Sequence, residues 1–78
     1  MKSANTRLLE NIAKASIQSD ASIRQALEAI DRSTLKICFI CDPDRRVCGV
    51  ATDGDIRRAL LSGAELSDPI RGYMKTTF

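Results

Sequence analysis

The chain contains no histidine and no tryptophan, and its 78 residues include only one tyrosine and two phenylalanines. Without histidine the commonest general base and the commonest metal ligand are both missing. Tyr73, Phe39 and Phe78 are too few for the base-stacking platforms of single-strand nucleic-acid binders. No apolar run approaches the roughly 20 residues that a membrane-spanning helix needs. Met1-Lys2-Ser3-Ala4 leads into polar residues rather than an apolar core, so no signal peptide is expected. An excess of one charge is lacking as well. The 12 basic and 10 acidic residues leave a net charge of +2, too balanced to call for nucleic acid or a membrane surface. Cysteine is present in an odd number, three. With no secretory signal, that favours reduced thiols and a cytoplasmic location.

What is present describes a folded chain. At 44% hydrophobic and 28% charged residues, the composition is globular rather than disordered. A chain of this length buries only about 60% of its unfolded surface, so a partner chain or a ligand is expected to add stability.

Asn5 or Thr6 can cap a first helix through about Ala15, with Leu8, Leu9 and Ile12 at helical spacing on an inward face, for packing or dimer contact. Ile17-Gln18 is a very short candidate strand. Ser22 and Gln25 have the spacing of a capping box, and Ile23, Ala26, Leu27 and Ile30 form an i, i+3, i+4, i+7 stripe ending near Arg32-Ser33. Leu35 to Cys41 is almost continuously apolar and predicts a strand buried on both faces. Asp42-Pro43-Asp44-Arg45-Arg46 is a turn cluster, and Val47 to Thr52 is a second strand, so the two form a hairpin with a solvated tip. A helix from about Asp53 to Ser62 follows, with Gly63 placed as its C′ residue. Asp68-Pro69 opens a last helical turn carrying Ile70, Tyr73 and Met74, with no clear closing element after it.

The residues with chemistry lie where the second strand of the hairpin meets its helix. A helix start offers unpaired N–H groups and partial positive charge, which suits a phosphate. Thr52 adds a hydroxyl, and Asp55 a carboxylate able to accept from sugar hydroxyls. The plainer reading is that Asp53 or Asp55 simply caps or charges that helix start. As an acid/base pair they fail, because residues two apart on a helix diverge by about 200°. Arg57 and Arg58 are either solvated or supply one guanidinium to a phosphate. Cys38 and Cys41 lie three apart in a strand and so point to opposite faces, which favours core packing over a zinc or redox site with Cys48.

In this order, the elements resemble a single CBS motif, the β-α-β-β-α unit that usually occurs in tandem as a Bateman module. The resemblance spans roughly residues 17–75. It rests on the capped helix Ser22 to Ile30, the strand ending Ile40-Cys41-Asp42, Gly49-Val50-Ala51-Thr52 with Thr52-x-x-Asp55, and Gly63 with Asp68 to Met74. The wording Thr-Asp-Gly-Asp-Ile-Arg-Arg is similar to CBS motifs attached to sugar-phosphate nucleotidyltransferases. The resemblance implies an α+β fold: a small mixed sheet with helices on one face, residues 17–78, and an additional N-terminal helix in 1–16. It implies adenosine-nucleotide binding, with AMP, ADP, ATP or S-adenosylmethionine as the ligand and no required cofactor. Thr52 would contact phosphate or ribose, and Asp55 would hold the ribose hydroxyls. Base contacts fall by position on Ile17, Gln18 and the Cys38 to Ile40 region, with Phe39 at its centre.

The family usually works with two motifs and this sequence contains one, Phe78 falling about where a second would begin. Either the chain is a fragment of a tandem, or it pairs with itself as a homodimer. The expected function is therefore a non-catalytic, ligand-sensing regulatory module at a paired-motif interface, and the resemblance implies a nucleotidyltransferase-type enzyme domain as a further partner. The alternative is a pure association module without a ligand. No nucleophile–base pair, P-loop or metal cluster points to an enzyme.

Overall fold

The apolar stretch ahead of the turn cluster forms the middle strand of a three-stranded sheet in the computed structural model, which describes residues 12–77. β1 (Ser16–Gln18) runs parallel to β2 (Ile37–Cys41), and β3 (Val47–Thr52) runs antiparallel to it. The parallel pair needs a crossover, which α1 (Ile23–Arg32) supplies. α2 (Asp53–Leu61) begins at the residue after β3, and the expected last helical turn is a 3₁₀ turn at Ile70–Gly72. The order is thus the expected β-α-β-β-α. Of the expected first helix, residues 12–14 are helical. Its earlier part lies outside the described residues, as does Phe78.

Side-chain spacing decides which face each element buries. From α1, Ile23, Ala26, Ala29 and Ile30 are buried, and Ile56 is buried from α2. They meet Cys38, Ile40 and Ala51 of the sheet and Ile70 of the closing turn. Both helices therefore cover the same sheet face. Within the single chain the middle strand is thus fully covered on one face only. Cys38 and Ile40 are fully buried, but Ile37, Phe39 and Cys41 on the opposite face are only half-buried. The strand is also shorter than expected. Lys36 adopts a left-handed conformation, φ 57°, which keeps Leu35 and Lys36 out of the extended run.

Local hydrogen bonds hold the ends of these elements. Ser22 Oγ accepts the Gln25 N–H at 3.2 Å, and Gln25 Oε1 accepts the Ser22 N–H at 2.8 Å, so the expected capping box is formed. The next free N–H groups of α1, on Ile23 and Arg24, donate to the Asp68 and Leu66 carbonyls at 2.9 and 3.0 Å. The loop after α2 is thereby tied to the start of α1. At the other end of α2, Gly63 takes φ 109°, and the Gly63 and Ala64 N–H groups donate to the Leu60 and Ala59 carbonyls. This is a Schellman closure, which a residue with a Cβ adopts only under strain. At the hairpin tip, Asp42 Oδ1 accepts the Asp44 and Arg46 N–H groups at 2.9 and 3.0 Å.

A bulge lies just inside the hairpin. Ile40 faces Gly49 while Cys41 faces Val47, so Cys48 is the extra residue. Along the outer edge of β3 the chain returns once more. The Val50 N–H donates to the Lys75 carbonyl at 2.9 Å, and the Lys75 N–H to the Val50 carbonyl at 2.8 Å. Met74 then lies directly over buried Gly49. A Cβ on Gly49 would overlap the Met74 side chain, 2.8 Å from its Cγ, and sit 3.1 Å from the Lys75 carbonyl oxygen. Gly49→Ala is therefore expected to destabilise the domain by about 1–3 kcal/mol, the scale of an overpacked core. Denaturant unfolding measures this, and an unchanged midpoint would show that residues 74–75 can reseat without cost.

Candidate functional site

The site grows out of the junction between β3 and α2. Thr52 is still extended, with φ −97° and ψ 166°, when the next residue enters the helix. Its Oγ1 accepts the Asp55 N–H at 3.1 Å, and Asp55 Oδ2 accepts the Thr52 N–H at 3.0 Å. Thr52-x-x-Asp55 is thus a reciprocal cap that satisfies two otherwise unpaired donors. The plainer reading is thus met in part: Thr52 holds the cap position, Asp55 returns the bond, and both Asp53 and Asp55 lie in the first turn. Asp53 lies on another side of α2 and pairs with Arg57 at 2.7 Å.

The other oxygen of Asp55 is also engaged. Oδ1 meets Arg58 Nη2 at 2.7 Å and Lys75 Nζ at 3.2 Å. The Asp55 side chain is 7% exposed, against 70% for Arg58 and 61% for Lys75. A nearly buried carboxylate is thus flanked by two cations whose stems reach into solvent. The Thr52 N–H is the main reason its carboxyl is pulled from the usual 3.8 down to about 2; the Thr52 side chain and Lys75 add to this, and burial opposes it. Asp55 is accordingly a fixed, ionised acceptor at neutral pH. Asp55, with its partners Arg58 and Lys75, borders a cavity of about 520 Å³ that Ala59, Ser62, Gly63, Ala64 and Tyr73 also line. Tyr73 is oriented there by its hydroxyl, which donates to Asp68 Oδ2 at 2.9 Å.

The remaining candidates from the sequence occupy other places. The two arginines separate, Arg58 to Asp55 and Arg57 to Asp53. Phe39 lies two residues along β2 from Ile37, the partner of Thr52, and so shares the open sheet face with Thr52, Ile37 and Val50. Ser16 joins that face through its register with Phe39. Ile17 pairs with Ile40 and packs against the core on the helix-covered face. Gln18 is exposed at the far end of β1, beside a second cavity of about 490 Å³ that it lines with Ile17, Asp20, Ala21, Gln25, Glu28 and Arg32. That cavity has no residue in common with the one at Asp55. Within one chain, Thr52, Asp55 and Arg58 come together, Phe39 shares the open sheet face with Thr52 alone of these, and Ile17 and Gln18 stand apart.

The cysteines follow the strand geometry. Cys38 is fully buried and Cys41 half-buried on the other face of β2. Burial pushes the Cys38 thiol up to about 11, so it stays protonated at neutral pH. Among the described residues, no group of three or more Cys, Asp or Glu side chains converges on a point that suits a metal ion. Lys75 and Tyr73 are the site residues that sequence reasoning missed as such. They lie 20 and 18 positions beyond Asp55, and no helical or strand period links them to it.

The pH dependence follows from the depressed Asp55 value. Its contribution to stability is complete above about pH 4 and is lost as pH falls toward 2. Asp55→Asn is expected to lower stability at pH 7 by about 0.5–2 kcal/mol, the range for a lost cap. The gap between the two proteins should close between pH 4 and 2. A gap of constant size in denaturant unfolding over that range would show that the charge on Asp55 carries none of the effect.

Comparison with known proteins places this geometry. Residues 10–62 match the CBS domain family. The chain is 42% identical over 52 residues, 67% of its length, to the arabinose 5-phosphate isomerase KdsD of Yersinia pestis, of which it covers 16%. It is 39% identical over 56 residues to the arabinose 5-phosphate isomerase GutQ of Shigella flexneri, of which it covers 17%. These relatives are sugar-phosphate isomerases rather than nucleotidyltransferases, and the chain spans about a sixth of their length. Among solved structures, a CBS domain protein of Pyrobaculum aerophilum complexed with AMP aligns with a TM-score of 0.73 at 20% identity, over 80% of this chain and 49% of that one. The CBS-domain containing protein of Agrobacterium tumefaciens aligns with a TM-score of 0.73 at 22% identity, over 81% and 48%. With the β-α-β-β-α order, the Thr52–Asp55 junction and a family match over most of its length, this chain belongs to the CBS domain family.

Proposed function

We propose that the chain is a non-catalytic, ligand-sensing CBS motif that binds an adenosine nucleotide where two motifs pair. The observation that carries this reading is the Asp55 carboxylate, ionised, nearly buried and held by the Thr52 backbone, with Arg58 and Lys75 beside it. An ionised acceptor suits ribose hydroxyls, and the adjacent exposed Arg58 guanidinium suits a phosphate. The AMP complex of the Pyrobaculum protein supports the choice of ligand class. Thr52, Asp55 and Arg58 form the polar end of the proposed site, and Phe39 lies on the sheet face that a base would approach. Ile17 and Gln18 belong to the site only through their backbone or through a second motif, because their side chains lie elsewhere. Arg57 is the weakest member, since it is engaged with Asp53 on the surface.

The partner is proposed to be another CBS motif, most simply a second copy of this chain. Ile37, Phe39 and Val50 form an apolar strip on the sheet face opposite the helices, and a facing sheet would cover it. The relatives support a sugar-phosphate enzyme domain as the regulated partner. The division into a helical extension over 1–16 and a CBS motif over 17–78 belongs to the same proposal, as does a cytoplasmic setting. No described helix is long and apolar enough to cross a membrane. A ligand regulates such a pair only through its different affinity for the pair's alternative arrangements.

A second reading is a pure association module. It is favoured by the fact that both Asp55 oxygens already have partners within the chain.

Two measurements decide between these. Thermal melting with AMP, ADP, ATP and S-adenosylmethionine should show stabilisation by at least one of them, about 2.7 kcal/mol at 100 times its Kd. Asp55→Ala should weaken that binding by about 1.5–3 kcal/mol, the scale of a hydrogen bond to a charged group. Asp53→Ala should leave the affinity nearly unchanged. No response to any of the four ligands would leave the association module. Separately, sedimentation at micromolar concentration should show a dimer or larger assembly, and a well-folded monomer would remove the proposed paired interface.

A further inference from the structure

Asp55 is bonded to more of its own chain than a helix cap requires. A carboxylate offers about four acceptor positions. One takes the Thr52 N–H, and Oδ1 takes both Arg58 and Lys75. About one position is left. A ligand with two adjacent hydroxyls donates two hydrogen bonds, so one internal partner has to leave.

The three partners differ in what holds them. The Thr52 N–H is fixed by the backbone at 3.0 Å and completes the cap. Arg58 is one turn along the same helix at 2.7 Å, so it stays close whatever the rest of the chain does. Lys75 makes the longest contact, 3.2 Å, and comes from a different segment. That segment is attached to β3 by the two Val50–Lys75 backbone bonds and by Met74 against Gly49. The Lys75 side chain is a third attachment of the same short segment.

We infer that Lys75 is a built-in competitor for Asp55, displaced by ligands that present vicinal hydroxyls, and that its displacement loosens residues 74–75 from the edge of β3. The inference rests on the reading of Asp55 as a hydroxyl acceptor and adds to it a direction of coupling. Occupancy of the site is reported at the β3 edge rather than in the core, which is shared by both helices and has no comparable ionic fastening. It also assigns a specificity: a ligand with a single hydroxyl fits the one remaining acceptor position and leaves Lys75 in place.

The test uses AMP and 2′-deoxy-AMP with the full chain and with Lys75→Met, which keeps the stem of the side chain and removes the charge. AMP should bind Lys75→Met about twofold to fivefold more tightly than the unaltered chain, the ratio expected when a competing exposed ion pair is removed. The affinity for 2′-deoxy-AMP should be the same in both. In the unaltered chain, saturating AMP should speed hydrogen exchange at the Lys75 amide, and 2′-deoxy-AMP should not. Unchanged or weaker AMP binding by Lys75→Met overturns the inference, because Lys75 would then be a bystander or a ligand contact. Slower exchange at Lys75 with AMP overturns it as well, and this second measurement needs no variant to fold. AMP bound equally by Asp55→Ala removes the hydroxyl-acceptor reading together with the inference. AMP bound by neither protein removes both in favour of the association module.

Discussion

The pair of hydrogen bonds between Thr52 and Asp55 is the constraint on which the rest of this domain depends. A strand that passes directly into a helix leaves the first N–H groups of that helix without partners, at a point where no loop residues intervene. Thr52 and Asp55 answer this within four residues. Because the bond is reciprocal, it also sets the direction in which α2 leaves the sheet. That direction places Ile56 in the core and Arg58 beside Asp55. The same geometry orients a carboxylate, keeps it ionised and leaves cations around it, so the structural cap and the candidate ligand acceptor are one group.

The second organising feature is the one-sided core. α1 and α2 both pack on the face that carries Cys38, Ile40 and Ala51. The loop after α2 reinforces this by giving its carbonyls to the first turn of α1, so the two helices are joined by hydrogen bonds as well as by side chains. The opposite face, with Ile37, Phe39 and Val50, has no helix of the core cluster against it. In an isolated sheet of three short strands such a face is costly to leave in water. The small size of the chain and its apolar strip, half-buried and without a core helix among the described residues, thus point the same way, toward a paired assembly.

Much of the local structure was legible in the residues. The Ser22–Gln25 box, the apolar stripe of α1, the turn at Asp42 and the closure at Gly63 each follow from short-range rules, because each is built by residues no more than seven apart. The opposed cysteines of β2 follow from the two-residue period of a strand. What was not legible has the same explanation in reverse. The middle strand reads as apolar on both faces, and an apolar run carries no sign of what covers each face. Asp53 and Asp55 looked alike as caps, since only the helix orientation shows that one returns a bond to Thr52 and the other meets Arg57. The serine–glutamine box at Ser22 is legible in the sequence, whereas the threonine–aspartate version one helix later was not recognised as a box.

The site divides along the same line. Thr52, Asp55 and Arg58 are close in sequence, and a helical period is enough to bring them together. Phe39 reaches the same face through strand register, which an alternating pattern also specifies once the hairpin is known. Lys75 and Tyr73 arrive by a different route: the chain leaves α2, ties itself to α1, and returns along β3 to stack Met74 on Gly49. Ile17 and Gln18 are separated from Asp55 because β1 lies on the far side of β2 and its short register turns Ile17 into the core. The sequence by itself determined the order of the elements, the Ser22 cap and the candidate acceptor, all consequences of contacts a few residues apart. Only the tertiary structure decided which cations share that acceptor and which sheet face stays open, because both depend on how distant segments are packed against one another.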